Sequence, residues 1–202
     1  MIALIDYGVG NLFSLISSLN SVGAEVVVTS DAEVVRRADK ILLPGVGAFE
    51  DAIKKLSDIG LDSVIVEEVR AGKPILGICL GMQMLFERSF EYGEHKGLGL
   101  LRGSVVPMNG TIPEELKIPH IGWNSLDVKK DHPIFKYIKS GDFVYFVHSY
   151  YAHGVGDSLL ASTEYGKDIT AAVALGNIAG TQFHPEKSGE VGLAILKAFS
   201  EW

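Results

Sequence analysis

The chain predicts an α/β fold of flavodoxin-like type: an open, twisted, mixed but mostly parallel sheet with helices on both faces. Three observations carry this. Short apolar runs alternate with helical periodicity through the first half of the chain. The second half changes to short β-rich runs separated by Gly, Asn and Asp, as expected of antiparallel strands added to such a sheet. The 202 residues are 47% hydrophobic, enough to bury both faces of a sheet.

Ile2–Ile5 is an apolar run and predicts a strand. Leu12–Val22 places Leu12, Leu15, Ile16 and Leu19 on one side of a helix. Glu25–Thr29 predicts a second strand, Ser30-Asp31 opens a short helix through Arg37, and Ile41–Leu43 predicts a third strand. Ala48–Leu56 and Ser63–Arg70 read as helices, Ile75–Ile78 as a fourth strand, and Leu80–Arg88 as the helix after it. Crossovers in such a β-α-β series are right-handed. Leu98–Val106, Ser125–Val128, Phe143–Val147, Leu159–Ser162, Thr170–Ala174 and Ile178–Phe183 follow as strands, and a last amphipathic helix spans about Glu190 to Phe199. No repeat or linker-like stretch divides the chain, so residues 1–202 are expected to be a single domain.

Composition narrows the function classes. A net charge of −7 without a basic run argues against nucleic acid as a partner. No apolar stretch reaches membrane-spanning length, and Met1–Gly8 lacks the basic start of a signal peptide. With one cysteine there is no internal disulfide, so a reducing, cytoplasmic setting is expected.

That cysteine is the most informative residue. Cys79 lies between Gly77 and Gly81, where an apolar run gives way to a helical pattern. Gly-x-Cys-x-Gly has the form of a nucleophile elbow with sulfur in place of the serine hydroxyl. The glycines let a strand turn sharply into a helix, whose dipole and free N–H groups favour a thiolate. The alternative is a buried structural cysteine at a strand end. In an open α/β sheet, ligands bind at the carboxyl ends of the strands. Asp6-Tyr7-Gly8, Pro44–Gly47 and Cys79 all follow strands and should gather at one edge.

A thiol nucleophile needs a base and a group that orients the base. Of six histidines, His184 stands out, in His184-Pro185-Glu186. Residues i and i+2 of an extended segment point the same way, and Pro185 keeps His184 out of the helical region. Glu186 can then turn back to the imidazole and fix its tautomer. A surface His and Glu at a strand end is the plainer alternative. A zinc site of the His-x-Glu type would need a Cys-x-x-Cys pair, so no metal is expected. Attack on an amide also needs N–H donors for the oxyanion. The Leu80 N–H is one candidate, and the Val46-Gly47 loop supplies the second. Gln83, one helical turn after Cys79, should face the same pocket. Gly8-Val9-Gly10 lacks the third glycine of a dinucleotide fingerprint, and no cofactor is expected.

Together these pieces resemble the class I, or triad, glutamine amidotransferases over nearly the whole chain. The segments Asp6–Asn11, Pro44–Phe49, Gly77–Gln83, Pro119–Asn124, Phe146–Tyr150 and Gln182–Ser188 carry the resemblance. Tyr7-Gly8-Val9-Gly10-Asn11 and Pro119-His120-Ile121-Gly122-Trp123-Asn124 are similar to the glutaminase subunits of imidazole glycerol phosphate synthase. The resemblance implies that Cys79, His184 and Glu186 hydrolyse L-glutamine through a glutamyl thioester. It implies that Gly47, Gln83, Ser149 and Tyr150 hold the substrate. Ammonia would pass to a cyclase subunit of (β/α)8-barrel fold in a heterodimer, with Tyr7, Gly10, Asn11, Trp123 and Asn124 at the docking face. Trp123 reads equally as a core residue. Other readings left open are the glutaminase of another ammonia-channelling synthase such as pyridoxal phosphate synthase, a cysteine hydrolase, and a non-catalytic flavodoxin-like binding module.

Overall fold

The computed structural model describes residues 1–202. Its helices are α1 (Leu12–Ser21), α2 (Ala32–Arg37), α3 (Phe49–Asp58), α4 (Leu61–Arg70), α5 (Leu80–Met84) and α6 (Gly189–Glu201). The first strands are β1 (Ile2–Ile5), β2 (Val26–Thr29), β3 (Lys40–Leu43), β4 (Ile75–Ile78), β5 (Phe86–Ser89), β6 (His95–Lys96) and β7 (Leu101–Pro107). Then come β8 (His120–Ser125), β9 (Asp127–Val128), β10 (Phe143–His148), β11 (Tyr150–His153), β12 (Leu159–Glu164), β13 (Asp168–Leu175) and β14 (Ile178–Thr181).

Eight strands form the main sheet in the order β2-β1-β3-β4-β14-β13-β12-β9. The first five run parallel, and the last three are added antiparallel, as the change in sequence pattern predicts. A parallel strand covered on both faces has no solvent side, which is why Ile2-Ala3-Leu4-Ile5 is apolar at every position and fully buried. Alternate residues feed two cores. Ala3 and Ile5 join the core under α2, α3, α4 and α5, and Ile2 and Leu4 join the one under α1 and α6.

The structure corrects the sequence reading at three places. The helix after Cys79 is only α5, and the chain extends from Phe86 rather than Arg88 ending a helix. The carbonyls of Met84 and Leu85 accept from Leu98, Leu100 and Leu101 N–H instead of a further helical turn. Leu80, Met82, Met84, Leu85 and Phe86 are apolar at too many positions for either period to decide. Second, not all later strands join the main sheet. β5, β6, β7 and β11 form a separate four-stranded sheet, and β8 and β10 a two-stranded ribbon. Third, β8 spans His120–Ser125 and so ends where the strand predicted over Ser125–Val128 begins.

Steric crowding fixes the turn after β4. A Cβ on Gly81 would lie 1.9 Å from the Leu43 carbonyl oxygen, and one on Gly77 2.7 Å from Gly81 O. Both contacts are with backbone, which cannot move aside alone. Gly81→Ala is therefore expected to destabilise the fold by about 1–3 kcal/mol, read as a lower urea midpoint at unchanged slope.

Candidate active site

The site lies where the parallel strands end. β4 and β14 are direct neighbours in register, with Thr181 opposite Ile78. The Cys79 N–H donates to the Thr181 carbonyl at 2.7 Å, so the residues after the two strands leave the sheet side by side. Cys79 sits at φ 53, ψ −110, one of two non-glycine residues with positive φ. A side chain holds this conformation only where its surroundings impose it, as at a nucleophile elbow. α5 spans five residues, so its dipole supports a thiolate less than the expected longer helix would.

His184 follows β14 by three residues and is buried. Its Nδ1 meets Glu186 Oε1 at 2.8 Å, the turn-back that the His-Pro-Glu spacing predicts. Ser188 Oγ donates to the His184 carbonyl at 2.6 Å and accepts from Tyr145 N, fixing the backbone of this turn. Burial alone would lower the proton affinity of the His184 ring, but Cys79 and Glu186 outweigh it and raise the pKa to about 9. The Nε2 atom is buried, with no polar partner other than Cys79.

A cleft of about 570 Å³ brings together Cys79, His184, Leu80, Val46, Gly47, Gln83, Ser149 and Tyr150. Gly47 sits at φ +96, a conformation that frees the Val46-Gly47 peptide to turn. Gln83 is buried rather than solvated. Its Nε2 donates to Tyr150 O at 3.1 Å and to Gln182 Oε1 at 3.0 Å, which leaves Oε1 as the acceptor for a bound group.

The remaining predicted residues lie outside the cleft. Tyr7 is only 5% exposed, and its hydroxyl donates to Pro44 O at 2.7 Å. Its side chain therefore belongs to the core and pins the Pro44–Gly47 loop, so the expected docking face loses this residue. Burial and the charge of Cys79 push the Tyr7 phenol up, keeping it a donor. Gly10 packs near Pro44, and Asn11 caps α1 through Ser14 N. Trp123 is 52% exposed on β8, which removes its core reading. Asn124 is half-buried beside it.

Three groups escaped the sequence reading. Gln182 Nε2 lies 3.7 Å from Cys79 Sγ, placed by the same β14 end as His184. Glu91 lines the cleft and accepts from Phe49 N at 2.6 Å, which anchors it beside the Gly47 loop. Its carboxyl is raised by burial. His148 lines the cleft wall, buried, with its Nδ1 at 2.9 Å from Tyr150 O. Gln182 follows directly from its neighbour His184 in strand register. Glu91 and His148 sit on elements whose placement the sequence pattern does not give.

The raised value at His184 has a defined sign. The folded pKa of about 9 exceeds the ordinary 6.5, so this pairing stabilises the fold fully below pH 6.5 and is lost as pH rises through about 9. The ring is expected to titrate near pH 9 in an NMR titration, and Glu186→Gln is expected to bring that midpoint down.

Among known proteins, the model for glutamine amidotransferase class-I matches residues 3–201. The imidazole glycerol phosphate synthase subunit HisH of Oceanobacillus iheyensis is 50% identical over 202 residues, covering 100% of this chain and 98% of that protein. The subunit of the same name from Caldanaerobacter subterraneus subsp. tengcongensis is 52% identical over the same spans. A solved structure described as a glutamine amidotransferase superposes with a TM-score of 0.76 at 19% identity, over 98% of this chain and 99% of that one. PurLQS from Thermotoga maritima gives a TM-score of 0.73 at 20% identity, over 98% and 96%. These two share the fold. The chain thus belongs to the class-I glutamine amidotransferases and, within them, to the family of HisH subunits of imidazole glycerol phosphate synthase.

Proposed function

We propose that this chain, acting as one domain, hydrolyses L-glutamine to glutamate and ammonia, and that the ammonia feeds a cyclase subunit of imidazole glycerol phosphate synthase in L-histidine biosynthesis. What carries the reading is the juxtaposition, in one cleft, of a cysteine at an elbow backbone and a carboxylate-oriented histidine.

The Cys79 thiolate attacks the side-chain amide carbon, and the carbonyl π pair moves to oxygen. Leu80 N–H and the Val46-Gly47 peptide stabilise that oxyanion, each worth on the order of 3 kcal/mol of barrier. When the intermediate collapses, the C–N bond breaks and the proton on His184 Nε2 goes to the leaving nitrogen. Water then adds to the thioester, giving a proton to His184. The C–S bond breaks, releasing the thiolate and the γ-carboxylic acid, which loses its proton to solvent to give glutamate, and the imidazolium is ready for the next turnover. Glu186 holds Nδ1–H throughout, so Nε2 is always the exchanging atom. Gly47, Ser149 and Tyr150 hold the substrate with Gln83, whose Oε1 accepts from its amide NH2. The Glu91 carboxylate complements an α-ammonium group. The partner is a (β/α)8-barrel cyclase in a heterodimer, docking on Gly10, Asn11, Trp123 and Asn124. Ile121 and Phe143, 60% and 55% exposed, extend the apolar area around Trp123 on the β8–β10 ribbon. No helix is long and apolar enough to cross a membrane, and a cytoplasmic setting fits a biosynthetic enzyme with a free thiol.

Cys79→Ala is expected to abolish glutamate release while the complex still uses free ammonia for synthesis; loss of both would make Cys79 structural. Glutamate release by the unaltered chain is expected to be slow alone and strongly stimulated by the cyclase with its nucleotide ligand. Hydrolysis without stimulation would point to another ammonia-channelling synthase.

A further inference from the structure

A continuous hydrogen-bonded chain joins the docking ribbon to the cleft. Asn124 Nδ2 donates to the Glu164 carbonyl at 3.0 Å, which turns Oδ1 toward His120 Nε2 at 2.8 Å. His120 Nδ1 faces His148 Nε2 at 3.1 Å, and His148 Nδ1 faces the Tyr150 carbonyl at 2.9 Å. Both ends are fixed acceptors, since Tyr150 O and Asn124 Oδ1 can only receive a hydrogen. Both outer ring nitrogens must therefore carry one. The inner N···N contact needs a third, so this arrangement is fully paired only when the two rings share three protons and one positive charge.

We propose that His120 and His148 are positioning residues that link Asn124 to the Tyr150 carbonyl through a proton held between the two rings. Tyr150 O also receives Gln83 Nε2, and Gln83 continues through Gln182 to Cys79 Sγ, so the link reaches the cleft floor. Its connection to docking rests on the reading of Trp123–Asn124 as the cyclase face; the shared proton does not.

The surroundings make the link two-state. His120 is stacked between Phe146 at 4.9 Å and Tyr165 at 3.9 Å. Burial pushes both rings toward neutral, His148 down to about 3, with His120 and His184 adding like charge. A neutral pair has two protons for three contacts. The half-buried Asn124 is the group free to yield: its amide turns, Nδ2 donates to His120, and Glu164 O goes to water. A partner seated on Trp123 that holds Asn124 in the observed orientation restores the third proton and strengthens the donor on Tyr150 O.

The test is a 15N-histidine NMR titration of the full chain, alone and with the cyclase, for the unaltered protein and Asn124→Asp. A fixed carboxylate at 124 is expected to raise one midpoint common to both rings by about one pH unit or more. Cyclase binding to the unaltered chain is expected to move the pair in the same direction. Independent titration of the rings, or a response of His120 alone, would overturn the proposal. In activity, His120→Phe keeps the aromatic stack and removes both nitrogens. It is expected to retain unstimulated glutamate release and lose about fivefold or more of the cyclase stimulation. Equal stimulation of the two proteins would also overturn the link. If the unaltered chain releases no glutamate in either state, the function above fails, and the titration still decides the shared proton.

Discussion

The parallel pairing of β4 with β14 is the constraint on which the site depends. A one-residue slip in this register would reverse the faces of every side chain in β14 and move His184 away from the sulfur. The register is held from both sides. Ile75, Leu76 and Ile78 are fully buried, as are Ala179 and Thr181. Gly180, with no side chain, also lets Met82 of α5 pack down on the strand: a Cβ there would lie 2.4 Å from Met82 Cγ. Packing of α5 on β14 thus sets the height of the elbow, and the Cys79 N–H to Thr181 bond locks it.

The backbone at Cys79 carries strain of order 1–3 kcal/mol, and it persists because its neighbours leave no other path. Gly77 and Gly81 allow the close approach, while Tyr7 pins the Pro44 loop against Leu80 from the opposite side. The same close packing removes water from His184 and Glu186. In that setting the Cys79 sulfur and the Glu186 carboxylate suffice to reverse the effect of burial on the ring. Rigidity and electrostatics here have one origin, the crowding of three strand ends.

Much of this was legible in the sequence, for a physical reason. A parallel α/β sheet obliges whatever follows each strand to meet at one edge, so a local motif becomes a spatial neighbour by topology alone. Gly77-Ile78-Cys79-Leu80-Gly81 and His184-Pro185-Glu186 are local motifs of this kind. Glu91, His148 and the burial of Tyr7 were not legible. Glu91 depends on β5 leaving the helix early, a choice made by carbonyls of Met84 and Leu85 pairing with residues 98–101. His148 depends on the β8–β10 ribbon, whose pairing is long-range and whose strands alternate only weakly in polarity. Tyr7 has a polar tip that suits a surface equally well, and only the Pro44 carbonyl decides otherwise.

Two of the buried atoms without partners lie at the site. His184 Nε2 and Glu186 Oε2 are both enclosed without a protein hydrogen-bond partner of ordinary geometry, as are His95 Nε2 and Ser162 Oγ elsewhere in the chain. Leaving a buried polar atom unpaired costs about 1–3 kcal/mol, so a fold keeps few of them. These two belong to the one ring and the one carboxylate that meet beside Cys79. The unpaired Nε2 is the nitrogen not used by Glu186, so it is the one available to a bound reactant. Part of this cost therefore falls on the ring beside Cys79, where a group bound in the cleft can offset it at Nε2.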